Sequence, residues 1–311
     1  MATSSEHTRA PATTVTELIA PELEVEQPPG RRANLWRDAV RRLLHNKLAV
    51  CGLIGVVVLL VVAIFADKLS PYDYDFQNFS NINEAPSWDF PLGTDLVGRD
   101  MLSRMIYGAR VSITVALVAQ VAIVLIGVPI GTVAGYFGGW IDMLVMRVVD
   151  VFYAIPNLLL AILIMSVLGR GIENLFFALV ITSWLTIARI ARAQMLSLRD
   201  KEYVKAARVA GANPLWIILR HMLPNALTPL VVTVTFGIPQ LIFAEAALSF
   251  IGIGINPPMP SWGQMVGEYQ QYLRSNWHMA VFPALAIAFT MLSFTFLGDG
   301  LRDALDPRLN D

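Results

Sequence analysis

Residues 196–225 form a water-compatible segment between two apolar runs. It reads Glu202-Tyr203-Val204-Lys205-Ala206-Ala207-Arg208-Val209-Ala210-Gly211 and closes on His221-Met222-Leu223-Pro224-Asn225. From Glu202 to Ala210 the residue types favour helix, and Ala206, Ala207, Ala210 and Gly211 gather small side chains toward one side. A partner backbone could approach that side closely. Gly211 followed by Asn213-Pro214 predicts a stop, and residues 215–222 predict a second short helix ended by Pro224. The chemistry on offer is docking through a helix–turn–helix unit with a basic rim. The spacing alone is equally that of an ordinary surface helix lying over a bundle.

Other reactive side chains are sparse. Glu245 interrupts the fifth apolar run. A carboxylate at membrane depth faces a cavity or a partner, so it is a candidate pathway residue, with a hydrogen-bonding role inside the chain as the alternative. Arg147 and Asp150 are spaced for an i, i+3 pair and read as boundary anchors. His7, His45, His221 and His278 are too dispersed to show metal-ligand spacing, and Cys51, the single cysteine, reads as a small apolar filler. No Gly-x-x-x-x-Gly-Lys-Ser/Thr loop is present to cradle nucleotide phosphates, and no nucleophile or paired-carboxylate constellation stands out. The residues carry no catalytic, cofactor or metal site.

The elements that must position the segment are membrane helices. Of 311 residues, 55% are hydrophobic and 15% charged, a balance that points to an all-α polytopic membrane protein. A net charge of −1 gives no electrostatic footprint for nucleic acid. Nearly uncharged runs at 48–66, 111–135, 151–168, 175–188, 226–244 and 279–298 predict six spans, since about 20 residues cross about 30 Å of hydrocarbon. The fourth is short and reaches full length if Arg189 and Arg192 snorkel at the boundary. Arg31, Arg32, Arg37, Arg41, Arg42 and Lys47 precede the first span, and five basic residues lie in 196–225. Acids dominate between spans one and two. Both biases predict cytoplasmic N- and C-termini and a cytoplasmic 196–225 loop.

The expected organisation is a disordered cytoplasmic tail at 1–30, with no signal-peptide pattern, then an amphipathic segment and first span at 31–66. An external segment follows at 67–110, then a transmembrane core at 111–300, and a cytoplasmic tail at 301–311. Residues 100–110 read as a helix lying along the membrane surface. The second external segment, about 256–278, suits an interfacial belt through Trp262, Tyr269 and Trp277. Pro129, Pro156, Pro239 and Pro283 interrupt the spans, with Gly127, Gly131, Gly135 and Gly237 nearby, and such breaks favour helices packed around a cavity.

The segment resembles the EAA motif of permease subunits in ABC importers: Glu-Ala-Ala, three residues, Gly, nine residues, then Ile-x-Leu-Pro. Lys205-Ala206-Ala207, Gly211 and His221-Met222-Leu223-Pro224 stand at that spacing, with Lys205 at the Glu position and His221 at the Ile position. The Glu-Tyr-Val start and His-x-Leu-Pro-Asn end are similar to the dipeptide, oligopeptide and nickel branch. Pro91-Leu92-Gly93-Thr94-Asp95, Gly98-Arg99-Asp100, Ser103-Arg104 and Tyr107-Gly108-Ala109-Arg110 resemble the stretch before the second span of the C-type subunit. Ala247-Leu248-Ser249-Phe250 through Pro257-Pro258, Pro260-Ser261-Trp262-Gly263 resembles its fifth span and outer loop. The likeness runs over about residues 35–307.

The resemblance implies a type I importer permease fold in a bacterial or archaeal inner membrane. It also implies a second homologous permease subunit, two ATP-binding subunits that hold ATP and Mg, and an external substrate-binding protein. The loop would be the coupling helix, docked through Glu202, Ala206, Ala207, Gly211 and Ala212, with His221 in the motif and Leu223 and Pro224 fixing its return into span five. The cargo could be di- or oligopeptides, nickel chelates or other small solutes. A secondary transporter or a membrane scaffold without an ATPase partner is the rival reading.

Overall fold

A computed structural model describes residues 35–305. The expected tail at 1–30, the arginines at 31 and 32, and residues 306–311 of the tail expected at 301–311 lie outside the described residues; residues 301–305 belong to the last helix, Trp277–Leu305.

Helix α1 (Leu35–His45) leads into α2 (Lys47–Ile64), and the Asn46 side chain caps the latter by accepting from the Leu48 and Ala49 amides at 3.1 and 3.3 Å. A short turn, α3 (Ala66–Leu69), precedes an irregular segment that reaches Asp100. Helix α4 (Met101–Phe137) has 37 residues, so at about 1.5 Å per residue it is about 55 Å long. Residues 101–110 are therefore the first turns of α4 and not a separate helix. The Asp100 carboxylate caps them, accepting from the Ser103 amide at 2.7 Å. Cys51 is exposed on α2, so it fills no gap within the chain.

Helices α5 (Gly139–Tyr153) and α6 (Asn157–Leu168) stand where one third span was expected. They meet at 81° across residues 154–156; five other helical segments are long and apolar enough to cross a membrane, and this bent pair adds a sixth crossing only if it counts as one broken span. Pro156 ends the continuity because it offers no amide to the ladder and disfavours helix at the residue before it. Asp150 does not pair with Arg147 but with Arg189 of α7 (Ile172–Arg199), whose guanidinium also lies 3.8 Å from the Tyr153 ring centroid. Asp142 takes Arg192. The bend brings the α5 acids to α7, so both arginines end in ion pairs, not only in a headgroup layer.

After α7 come α8 (Glu202–Val209) and α9 (Pro214–Ile217). A π turn (Ile218–Met222) runs on into α10 (Leu223–Phe250). Helix α11 (Trp262–Tyr269) and α12 (Trp277–Leu305) complete the chain. Gly127, Gly131 and Gly135 present one face of α4 to the α7 backbone. A Cβ at Gly127 would lie 2.8 Å from the Trp184 carbonyl oxygen and one at Gly135 2.6 Å from that of Arg192. This stripe is a close-packing seam between helices in lipid.

The buried apolar side chains form three clusters. The middle one joins α4, α6, α7 and α10 through residues such as Ala119, Ile123, Leu179 and Ile242. The cluster at the end away from 196–225 joins α2, α4, α11 and α12. There Trp262 and Tyr269 are buried, against the expected interfacial position; Trp262 donates to the Met105 carbonyl at 3.0 Å and Tyr269 to Asp95 at 2.9 Å. Only Trp277 of the three is exposed. Asp95 also binds the Arg99 guanidinium at 2.6 Å, with Arg104 3.8 Å away. Burial pushes the Asp95 carboxyl up, but the Arg99 amide and guanidinium outweigh it and hold the carboxyl below its usual range. The third cluster lies under the 196–225 loop.

Candidate coupling site

Helix α7 ends at Asp200, and α8 turns away from it with Lys201 as its N-cap residue. Val204 is fully buried. It enters a cluster with Tyr136 of α4, Met195 of α7, Ile217 of α9, Ile218 of the π turn, and Ala226 of α10. Arg208 lies over the Tyr136 ring, 5.7 Å from its centroid. The 8-residue α8 is too short to hold its helix alone, so this seat, which touches three spans, is what fixes it.

The chain leaves α8 through Gly211, whose φ of +79° is the left-handed conformation that glycine adopts at low cost. Nothing lies within 4 Å of where its Cβ would be, so one side of the turn is open. Asn213 then caps α9, accepting from the Leu215 amide at 2.9 Å, and Pro214 occupies the first turn. The predicted stop is therefore present. The predicted end of the second helix at Pro224 is not: the helix continues through the π turn into α10, with the Leu223 amide bonded to the Ile218 carbonyl. Widening the ladder just before Pro224 accommodates a ring that would otherwise strike the preceding turn.

The expected docking residues divide in two. Glu202, Ala206 and Gly211 face outward, and Pro224 is exposed at the return. Ala207, Ala212 and Leu223 pack against the loop's own cluster and seat the unit. His221 is half-buried, its ring 4.7 Å from that of Trp216 and 6.3 Å from that of Tyr203. Sequence reasoning missed the outward apolar residues: Val209 is 90% exposed, and Leu215, Trp216 and Leu219 are also exposed. Leu215, Trp216 and Leu219 line a shallow hollow of about 530 Å³ with Asn213 and Arg220. The signal was available as large apolar residues in an otherwise polar loop.

Glu245 is fully buried on α10. Its carboxylate accepts from Ser112 of α4 at 2.9 Å and from Ser249 at 2.8 Å, which ties α10 to α4. It does not line the cavity of about 500 Å³ that opens between α4, α6, α7 and α10. Gly237 lines that cavity, but the interruption expected at Pro239 is absent: α10 runs unbroken through it, as α4 and α12 do through Pro129 and Pro283, and of the four expected breaks only Pro156 interrupts a helix. Among the described residues no group of three or more His, Cys, Asp or Glu could hold a metal ion.

Comparison with known proteins gives a consistent picture. The model of the family described as binding-protein-dependent transport system inner membrane component matches residues 127–311, and that of the N-terminal TM domain of oligopeptide transport permease C matches residues 34–86. The chain is 42% identical over 286 residues to the oligopeptide transport system permease protein OppC of Bacillus subtilis, covering 92% of this chain and 94% of that protein. It is 44% identical over 274 residues to the dipeptide transport system permease protein DppC of the same organism, covering 88% and 86%. It is 40% identical over 275 residues to the glutathione transport system permease protein GsiD of Pectobacterium atrosepticum, covering 88% and 91%. A solved structure of the MetNI methionine ABC transporter shares the fold, with a TM-score of 0.57 at 21% identity over 66% of this chain and 98% of that one.

Proposed function

Because the chain belongs to the binding-protein-dependent transport system inner membrane component family, and is a permease subunit of an ATP-driven importer rather than an enzyme, we propose that it carries peptides and is driven through α8. Its chemical partners are a second permease subunit, two ATP-binding subunits that hold ATP and Mg, and an external substrate-binding protein. Both termini and the 196–225 loop lie on the cytoplasmic side of the inner membrane. Peptide cargo is supported by the oligopeptide, dipeptide and glutathione permeases named above.

In this reading Glu202, Ala206, Gly211 and Val209 contact an ATP-binding subunit. Ala207, Ala212, Leu223 and the His221 ring stack hold the surface in shape, and Pro224 sets the return. The observation that carries it is the division within one short helix: Val204 is fully buried while Val209 is 90% exposed. An isolated valine that exposed loses apolar burial worth about 1.5 to 3 kcal/mol, which a partner cleft can restore. When the cleft moves, Val204 passes the displacement to α4, α7 and α10 together.

Replacing Val209 by Asp removes no contact within the chain. Capture of the ATP-binding subunits by affinity-tagged protein should fall at least tenfold, with membrane insertion unchanged. Gly211→Trp should insert yet uncouple uptake from ATP hydrolysis in vesicles. Full capture by the Val209 variant together with full ATP-dependent uptake by the Gly211 variant would defeat the docking assignment.

A further inference from the structure

Helix α1 meets the bundle at the corner where α2 begins and α12 ends. Leu59 and Ala63, late in α2, and Met279 and Ala280, early in α12, belong to the cluster away from 196–225, so α1 joins at the same end as that loop. Asn46 stands between α1 and α2 with an extended backbone, φ −82° and ψ 109°, so the two are separate helices and α1 is free of the direction of the span. Ala39 and Leu43, one turn apart, form the seated side of α1. Ala39 is buried, and Leu43 lies against Gly300 of α12, where a Cβ would collide with Ala49 of α2 and come within 3.1 Å of Leu43.

The rest of α1 turns outward in two stripes. Val40 and Leu44, one turn apart, are 54% and 56% exposed, and Leu48 at the start of α2 is 60% exposed. Arg41 and His45, the next pair around the helix, are exposed as well, and so is Lys47. His45 Nδ1 donates to the Arg41 carbonyl at 2.7 Å. Among the described residues neither Arg41 nor Lys47 has an acidic partner. The α1 segment and the start of α2 hold Arg37, Arg41, Arg42 and Lys47 against Asp38, and the last turns of α12 add Arg302 against Asp299 and Asp303, so the corner is net positive. An exposed apolar stripe beside an unpaired basic one needs a surface that is apolar below and anionic above. The boundary between acyl chains and phosphates supplies both at once, which is how basic amphipathic helices lie in a membrane surface.

Resting on the cytoplasmic placement proposed above, we infer that α1 and the first turn of α2 form a site for anionic phospholipid in the cytoplasmic leaflet. Val40, Leu44 and Leu48 enter the acyl boundary, and Arg41 and Lys47 hold the phosphates. Their long aliphatic stems carry both charges from the apolar stripe up to the headgroups. A zwitterionic headgroup sets a cation beside its phosphate and offsets the attraction, so the site prefers a net anionic lipid. The seat against Ala49 and Gly300 passes that hold to α2 and α12 and fixes the depth of both spans.

The test uses the full-length chain assembled with its partner subunits in vesicles of phosphatidylcholine and phosphatidylglycerol. In a Cys51→Ala background, Leu44→Cys carries an environment-sensitive dye, and brominated acyl chains on one lipid or the other quench it. Quenching measured against lipid fraction gives the relative affinity of the two lipids at that position. Phosphatidylglycerol should be preferred at least about fivefold, the worth of one basic side chain near an anionic surface. The preference should fall below about twofold in Arg41→Gln with Lys47→Gln and survive in Arg41→Lys with Lys47→Arg. Added salt should weaken it where Arg41 and Lys47 are unchanged, which keeps the test decisive if the glutamine variant does not assemble. A dye at Val58→Cys, exposed farther along α2, should meet both lipids alike. A preference under about twofold with Arg41 and Lys47 present, or one indifferent to salt, overturns the anionic site. Quenching by neither lipid puts α1 outside the bilayer and overturns it as well, and a preference undiminished in the glutamine variant removes Arg41 and Lys47 from it. Reaction of a His45→Cys thiol with an impermeant maleimide at the outer face of intact cells would instead overturn the cytoplasmic placement. No readout here needs transport, so the importer reading stands or falls separately.

Discussion

Replacing Asp95 by Asn perturbs the centre of the ion-pair network at the end of the bundle away from the 196–225 loop. One Asp95 oxygen accepts from the Val97 and Arg99 amides at 3.0 and 2.9 Å, and the other from Arg99 Nε at 2.6 Å and the Tyr269 hydroxyl at 2.9 Å. Asparagine has one acceptor oxygen, so in either orientation its amide faces two donors. Arg99 and Arg104, both buried, would keep Glu268, at 3.5 and 3.8 Å, as their acidic partner, and Arg104 also the Tyr74 carbonyl at 3.5 Å. Breaking a buried pair from one side costs about 3–5 kcal/mol, roughly two to nearly four powers of ten in the local opening equilibrium. Amide hydrogen exchange at residues 94–104 of the purified complex reads that equilibrium. It should accelerate at least a hundredfold in Asp95→Asn while α8 exchanges as before. Acceleration under threefold at 94–104 would show that the network contributes no more than a surface pair.

The same carboxyl sets a pH window. Its folded value is depressed below the ordinary 3.8, so its contribution is fully present above that value and is lost as pH falls through the folded one. Protection at 94–104, corrected for intrinsic exchange, should hold between pH 7 and pH 5 and decline only below about pH 4; a decline centred near pH 6 would exclude Asp95 as the cause. Gly131→Ala places a methyl group into the Ala188 backbone of α7 and should cost about 1–3 kcal/mol, read as a lower melting temperature of the complex. Glu245→Gln keeps size and hydrogen-bonding groups between Ser112 and Ser249, so assembly should survive and the uptake ratio of cationic to anionic peptides should stay constant; a tenfold change in that ratio would put the carboxylate in the pathway.

The membrane helices were legible because a span is a matter of composition over about 20 residues, and the loop's first stop was legible because Gly211 and Asn213-Pro214 act locally. What sequence reading missed depends on distant partners. Trp262 and Tyr269 read as interfacial aromatics, yet each is buried by a bond to a residue more than 150 positions earlier, Met105 and Asp95. Residues 100–110 read as a surface helix because they turn helix-like at the end of a segment assigned outside, before the apolar run begins. Arg104 is instead buried beside Asp95 and Glu268, and Arg110 reaches back to Asp67 at 2.7 Å. The bend at Pro156 is local in origin, but the pairing of the α5 acids Asp150 and Asp142 with Arg189 and Arg192 of α7 is not, since those partners lie 39 and 50 positions on. In the loop the EAA spacing picked out small residues, some of which turn inward to seat α8. Val209 and Trp216 escaped notice because neither belongs to that spacing, and exposure is a property of the folded loop.

The claim that α8 docks an ATP-binding subunit is tested most directly by crosslinking from the loop itself. Cys51 is the only cysteine, so a Cys51→Ala background gives a unique thiol at Val209→Cys or, as the inward control, Val204→Cys. In the assembled complex a short maleimide carrying a photoactivated diazirine, which inserts into whatever residue lies beside it, should join position 209 to an ATP-binding subunit and leave position 204 unreacted. A thiol at 209 that stays freely labelled by a water-soluble maleimide in the full complex, with no crosslink to that subunit, would contradict the account.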